Sequence, residues 1–426
     1  MLTLLRRPPR EADATTTFYA LTAVAAFAFA LCFTLNLVFQ YRVVGLDPFQ
    51  MVLVGTVLEA TCFLFEIPTG IVADLYSRRV SVIIGFLLIG VGFAVEGVVA
   101  TFAAALVGNV LWGVGFTFTS GALQAWITDE VGEDAVAPVF TRETQLHLAF
   151  GIVGTSAAGG LGLLSLRAPV ITAGAVLVLL ALGLWAVMPE RHFHPTPRGD
   201  RETFGHLRQQ LVAGLRIARR RRVVRVFLLV SLLVGLASEV FDRLWQVRVL
   251  DTFTVPAVFG GDEAVAFTAF ALVGTVVSLG ASLASGRWLP RRLVDATPGL
   301  PVAAAALVQV LAVVGVALLG NLWLVLVCVW LRGAAMAFSA PIEATWVNRN
   351  LEGPTRATVL SLNSQANALG QVAGGPPLGA LATWASIPVA LLVAAVVQAP
   401  SVAAFLRIRS AGAGTEGRVL EASLEE

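Results

Sequence analysis

Residues 78–99 read RRVSVIIGFLLIGVGFAVEGVV: two arginines, then twenty residues in which Glu96 is the only charge. Coiled as a helix at about 1.5 Å per residue, those twenty residues span about 30 Å, the thickness of a bilayer's hydrocarbon core. Similar runs extend in both directions. Including this one at 80–99, the sequence predicts membrane spans at 17–39, 49–73, 80–99, 102–126, 143–165, 168–188, 224–249, 264–286, 299–319, 322–346, 357–382 and 386–407. Hydrophobic residues make up 57% of the chain and charged residues 13%, and the mean hydropathy is +0.82. A water-soluble core cannot hide that much apolar surface, so lipid is the expected solvent. Arg6, Arg7 and Arg10 precede a first apolar run longer than the core of a cleavable signal, and more spans follow, so span one is expected to stay in place.

The arginines report on topology independently. With twelve spans both termini lie on one side. If that side is cytoplasmic, inward segments carry 24 arginines and outward segments only Arg42, Arg167, Arg243 and Arg248, as the positive-inside rule requires. Arg332 lies within a span. The one long polar stretch, 189–223, divides the chain into a six-span half at 1–188 and another at 224–409, with a tail at 410–426. Its run at 217–222, Ile-Ala-Arg-Arg-Arg-Arg, sits flush against a span, which predicts contact with anionic lipid and not nucleic acid. Offset by 220 residues, Leu111, Gly113, Phe118, Thr119, Trp126 and Ile127 align with Leu331, Gly333, Phe338, Ser339, Trp346 and Val347, a trace of parallel repetition of the two halves.

All 29 basic residues are arginine. Without lysine there is no GK[ST] phosphate loop and no Schiff base, so an ordinary ATPase and pyridoxal chemistry are excluded. Cys32, Cys62 and Cys328 sit inside apolar runs and read as packing residues. His192, His194 and His206 share the polar linker and His147 stands apart. The HxH at 192–194 reads as solvated loop, so no metal and no cofactor is expected.

Between the second and third spans the chain reads Gly70-Ile-Val-Ala-Asp74-Leu-Tyr-Ser-Arg78-Arg79. This resembles the signature of the major facilitator superfamily in the same cytoplasmic loop, with Leu75 in place of the usual basic residue and Ser77 in place of the usual glycine. The resemblance implies the superfamily's all-α membrane fold, twelve transmembrane helices in two pseudo-symmetric six-helix halves. It also implies a cytoplasmic gate in which Gly70 allows close helix approach, Asp74 faces the start of span eleven near Thr355, and Arg78 or Arg79 reaches Asp129 at the end of span four. Further segments are similar to the drug:proton antiporter branch that includes tetracycline- and macrolide-efflux-like proteins: Glu66-Ile-Pro-Thr-Gly70, the stretch 120–127, Phe241-Asp-Arg-Leu-Trp245 and the stretch 356–361. Two features depart from that branch. Span four has Trp112 and no arginine, and the glycine-rich stretch of span five (Gly151, Gly159, Gly160) lacks its proline. Span eleven carries a comparable glycine motif, Gly370, Gly374, Gly375 and Pro376.

An ionisable residue within the bilayer is costly and marks a cavity or a partner. Glu59 and Glu66 share a face of span two, about 10 Å apart. Glu239, Asp242 and Arg243 share a face of span seven, where they form either a local ion pair or a titrating site. Arg332 and Glu343 share a face of span ten but stand three turns apart, so Arg332 is expected to meet an acid from another span or a water-filled space. Glu96 lies near the outer end of span three, where solvation is the simpler expectation. Asn36 and Gln40 of span one could add hydrogen bonds to a cavity.

The leading expectation is a monomeric secondary transporter in a bacterial cell membrane with both termini cytoplasmic. It would export drug-like or metabolite molecules by alternating access, with protons as the coupling ion; an uptake symporter or facilitator of the same fold is the alternative. A membrane prenyltransferase could use Asp129-Glu130-Val-Gly-Glu133-Asp134 to hold magnesium, but no second acidic cluster exists to clamp a diphosphate. A non-transporting receptor has no positive support in the sequence.

Overall fold

The structure, a computed structural model, describes residues 13–193, 222–288, 299–350 and 353–407. The arginine run of the linker, His194, His206, the tail 410–426 and the side chain of Thr355 lie outside the described residues. Within them the chain is helical and contains no strand. The twelve crossings are α1 (Ala14–Val44), α2 (Pro48–Leu75), α3 (Arg78–Val99), α4 (Phe102–Val131), α5 (Val136–Gly162), α6 (Arg167–Val187), α7 (Arg222–Thr252), α8 (Glu263–Trp288), α9 (Gly299–Leu318), α10 (Leu322–Asn350), α11 (Gly353–Trp384) and α12 (Ile387–Leu406).

Each predicted span falls on one of these helices, and the helix starts have local causes. Asp13 accepts from the Thr16 amide at 2.9 Å and caps α1. Asp47 and Gln50 form a reciprocal capping box ahead of α2, with Pro48 in its first turn. Ser77 caps α3 through the Val80 amide at 3.0 Å, and Thr101 caps α4 through Ala104 at 3.2 Å. α4 is broken at Ser120–Gly121, where Gly121 has φ +71°. The last five residues of α1, Gln40–Val44, form a π turn that Gly45 closes at φ +75°, donating to the Gln40 carbonyl.

Ten of the described helices are long and apolar enough to cross a membrane. α5 and α11 are long but too polar to qualify: α5 carries Arg142, Glu143 and His147, and α11 carries Asn363, Gln365, Asn367 and Gln371. Such helices are stable at membrane depth where their polar sides are covered by protein or face water.

The chain forms two compact packing units. The first holds α1–α6 together with Asp242–Leu272 and Gly375–Ile387, which are segments of α7, α8 and α11 with their connecting turns. The second holds the remaining described parts of α7–α12. These units differ from the halves 1–188 and 224–409 because three helices of the second half pass from one unit into the other. Within the first unit α3 packs on α4 and α6, α1 on α5 and α6, and α2 on α4. Glycines let these backbones nearly touch: a Cβ at Gly92 would sit 2.6 Å from the Gly108 carbonyl, and one at Gly90 would sit 2.8 Å from the Gly174 carbonyl. In the second unit α9 packs on α10 and α12 around Val230, Val302, Ala306, Ile342 and Phe405.

Candidate functional site

The α2–α3 turn gathers a charged network. Arg78 donates from Nη1 to the Ala125 carbonyl at 2.9 Å and contacts the Asp129 carboxylate, while its Nη2 lies 4.0 Å from Asp74. Arg79 turns another way. It is 2% exposed, its Nη2 donates to the Trp185 carbonyl at 2.5 Å, and its backbone amide donates to Glu190 at 2.9 Å. Ser77 donates from Oγ to the other Glu190 oxygen at 2.6 Å, so this carboxylate sits at the amino end of α3, where free N–H groups favour an anion. Glu130 accepts from the Arg191 and His192 amides at 2.6 and 3.0 Å. Trp126, fully buried, donates to the Pro189 carbonyl at 2.8 Å. Of the two arginines, Arg78 is therefore the one that meets Asp129. Glu190 and Glu130, which the sequence placed only at a linker edge and in an acidic cluster, bind the chain just beyond α6. Asp129 and Glu130 engage different protein partners, which leaves them poorly placed to hold one magnesium ion together.

At membrane depth Phe33 and Trp112 lie 4.9 Å apart between ring centres, with Phe29 stacked on Phe33 and Phe93 edge-on to both Phe33 and Trp112. Trp112, on the span that lacks the arginine expected of the resembling branch, thus sits in an aromatic cluster. Glu59 is half-buried and Glu66 exposed on α2. The three charges of α7 are not equivalent: Glu239 is buried, Asp242 exposed and Arg243 half-buried. Arg332 is buried with its guanidinium 4.0 Å from the Phe241 ring centre, a cation–π contact that the search for acids alone could not anticipate. Glu343 pairs with the Ser339 hydroxyl one turn earlier on α10.

Glu96 corrects an expectation. It is 1% exposed, not solvated, and it accepts a 2.6 Å hydrogen bond from Gln40 Nε2. Asn36 and Arg243 also act on it. Gly70 has open space around it, with nothing within 4 Å of a Cβ built there. The glycines of α5 divide. A Cβ built at Gly159 would meet Thr268 Oγ1 at 2.9 Å, whereas one built at Gly151 or Gly160 would meet nothing within 4 Å. Gly160 is exposed, turned 100° from Gly159, and Gly151 lies two turns before the contact. Gly154, against the Phe27 carbonyl, and Gly162, where a Cβ would come within 2.5 Å of Ala264, complete the packed face instead.

On α11, a Cβ built at Gly370 would sit 2.5 Å from the Leu232 carbonyl and one at Gly374 would meet the Leu236 backbone, and Gly375 is buried just before Pro376. Beside this contact Ser231 and Asn363 are hydrogen-bonded, Asn367 donates to the Ser231 carbonyl at 3.2 Å, and Gln371 donates to Asn367 at 2.7 Å. Sequence reasoning passed over these amides; the signal available was a polar period inside a predicted span.

Opposite the Arg78 network, the far end of α1 is tied to α7 and α8. Arg42 grips Glu263 at 2.7, 3.0 and 3.1 Å and the Leu250 carbonyl at 3.3 Å, and Tyr41 donates to Asp251. The Phe49 amide donates to Thr383 Oγ1 at 3.0 Å.

Long glycine-packed helices with charges held inside them define a polytopic membrane protein. The model of the Major Facilitator Superfamily matches residues 17–319, and the chain belongs to that superfamily. The uncharacterized MFS-type transporter YxaM of Bacillus subtilis (strain 168) is 22% identical over 353 residues, covering 82% of this chain and 85% of its own. Among solved structures, the nucleoside transporter NupG aligns with a TM-score of 0.75 at 13% identity, covering 93% of this chain and all of that one. The POT family transporter PepTSo aligns at 0.71 and 12% identity over 93% and 97%. A bacterial homolog of the human lysosomal transporter Spinster aligns at 0.68 and 16% identity over 92% and 96%. The chain is thus a multi-pass membrane transporter of small molecules.

Proposed function

We propose that this transporter is a proton-coupled antiporter exporting small, largely apolar or amphipathic molecules by alternating access, in line with its resemblance to the drug:proton antiporter branch. The observation that carries the coupling is the set of ionisable side chains buried inside membrane helices, Glu96, Glu239 and Arg332, which hydrocarbon would not tolerate without a function. The aromatic pair Phe33–Trp112 supports a planar cargo. In this reading the halves 1–188 and 224–409 rock about a midplane site. The Arg78 network lies on the cytoplasmic face of a bacterial cell membrane and gates that side with Gly70 and Asp74. Glu59, Glu66, Asp242, Arg243 and Glu343 are further coupling candidates, and the arginine-rich linker rests on anionic lipid. The transporter works as a monomer.

Inverted vesicles given ethidium, tetracycline, uridine or dialanine test this directly. Accumulation of ethidium or tetracycline, abolished by collapsing the proton gradient, is the expected outcome. Trp112→Ala should raise the KM for the aromatic cargo about tenfold, the loss of about 1.4 kcal/mol of stacking. Flux indifferent to the gradient would defeat the coupling. The hydrogen-bonding edge of α7 and α11 (Ser231, Asn363, Asn367) favours a second reading, uptake of a polar solute. The fold shared with a nucleoside transporter and a POT family transporter agrees with it. Uridine or dialanine entry into right-side-out vesicles would select it.

A further inference from the structure

The π turn at the end of α1 presents three consecutive side chains to three helices. Gln40 bonds Glu96 of α3 at 2.6 Å, Tyr41 bonds Asp251 of α7, and Arg42 holds Glu263 of α8 with contacts of 2.7–3.1 Å. The three acids differ in their surroundings. Asp251 and the Arg42–Glu263 pair reach water, with side chains of the latter 38% and 27% exposed, so that pair is screened and weak alone. Glu96 is sealed.

A sealed carboxylate persists in its charged form only with a positive partner and full hydrogen bonding. Among the described residues, Cys32 of α1 and Arg243 of α7 are titratable or charged groups that interact with Glu96. α4 brings Gly108 to this stretch of α3, and α6 brings Val170 and Ile171 beside Gly97, none of them titratable. Arg243 therefore supplies the positive charge, from the same helix that Tyr41 holds through Asp251. Gln40 supplies the hydrogen bond, and its amide can serve either protonation state. Its N–H₂ now donates to the carboxylate, while its Oε1 is buried without a hydrogen-bond partner and could accept from a carboxylic acid.

We propose that Glu96 is a proton-binding residue of this transporter and controls the Arg42 end of the bundle. Ionised, it holds α1, α3 and α7 together through Gln40 and Arg243. Protonated from the Arg42 side, it loses its attraction for Arg243, α7 is released, and the screened contacts Tyr41–Asp251 and Arg42–Glu263 part. This rests on the proton-coupled reading and names, among the acids within the spans, the one that couples.

Hydrogen–deuterium exchange of the purified protein in lipid nanodiscs reads the device with no substrate present. The peptides to follow cover 40–50 and 250–265, with exchange corrected for the intrinsic pH dependence of amide chemistry. One linked proton changes an open-to-closed ratio by up to about tenfold per pH unit. Wild type should therefore lose protection in both peptides as pH falls from about 8 to about 5.5. Glu96→Gln, a permanently neutral analogue, should exchange fast at every pH. Gln40→Met, which keeps the acid and removes its relay, should lose most of the response. Protection in Glu96→Gln that matches wild type at every pH overturns the inference, as does a wild type without pH response. A pH response that vanishes in both variants while vesicle flux ignores the proton gradient would overturn the antiport reading and leave this one standing.

Discussion

Glu190 offers the sharpest single perturbation. It belongs to no expected span or motif, yet its two oxygens take the Ser77 hydroxyl at 2.6 Å and the Arg79 amide at 2.9 Å. Both are bonds to a charged acceptor, worth about 2 kcal/mol each, and the anion also lies at the start of α3, where the helix dipole adds about 0.5 kcal/mol. Glu190→Ala would also remove a negative charge that acts on the buried Arg79 guanidinium. The expected loss is about 4 kcal/mol, and Glu190→Gln, which keeps one acceptor, should lose about half of that. For a chain of this size about 1 kcal/mol corresponds to about 2 °C. Glu190→Ala should therefore lower the midpoint of thermal unfolding in detergent by about 8 °C and Glu190→Gln by about 4 °C, measured by intrinsic tryptophan fluorescence. If Glu190→Ala unfolds within about 1 °C of wild type, the carboxylate is not what fastens the chain after α6 to α3, and the reading of this network fails.

Two further outcomes follow from the geometry. Exchanging the charges at the far end of α1, Arg42→Glu with Glu263→Arg, should restore most of the stability lost in either single variant. The coupling in a double-mutant cycle should be about 1 kcal/mol and shrink in high salt, because the pair is partly solvated; a cycle without coupling would remove the pair from the account. Gly92→Val should cut the yield of folded protein severely, since even a Cβ there meets the Gly108 carbonyl at 2.6 Å and backbone cannot step aside as a side chain would; wild-type yield and melting would show that α3 and α4 can separate freely.

The sequence by itself determined the solvent, the number of crossings and their approximate ends, because these depend on local quantities: apolar run length and capping residues such as Asp47 and Ser77. Through a motif whose resemblance specifies position, it also brought Asp129 within reach of Arg78 or Arg79, and only the structure chose Arg78. The sequence could not tell which ionisable residues are sealed. Glu96 and Asp242 are both acids within predicted spans, yet one is buried against Gln40 and the other exposed. Nor could it tell that Gly159 packs while Gly160 does not, or that Arg332 rests on Phe241. Those outcomes depend on which helices meet and at what rotation, contacts between residues up to hundreds of positions apart. Desolvation, which decides whether a charge is inert or functional, exists only once those partners are in place.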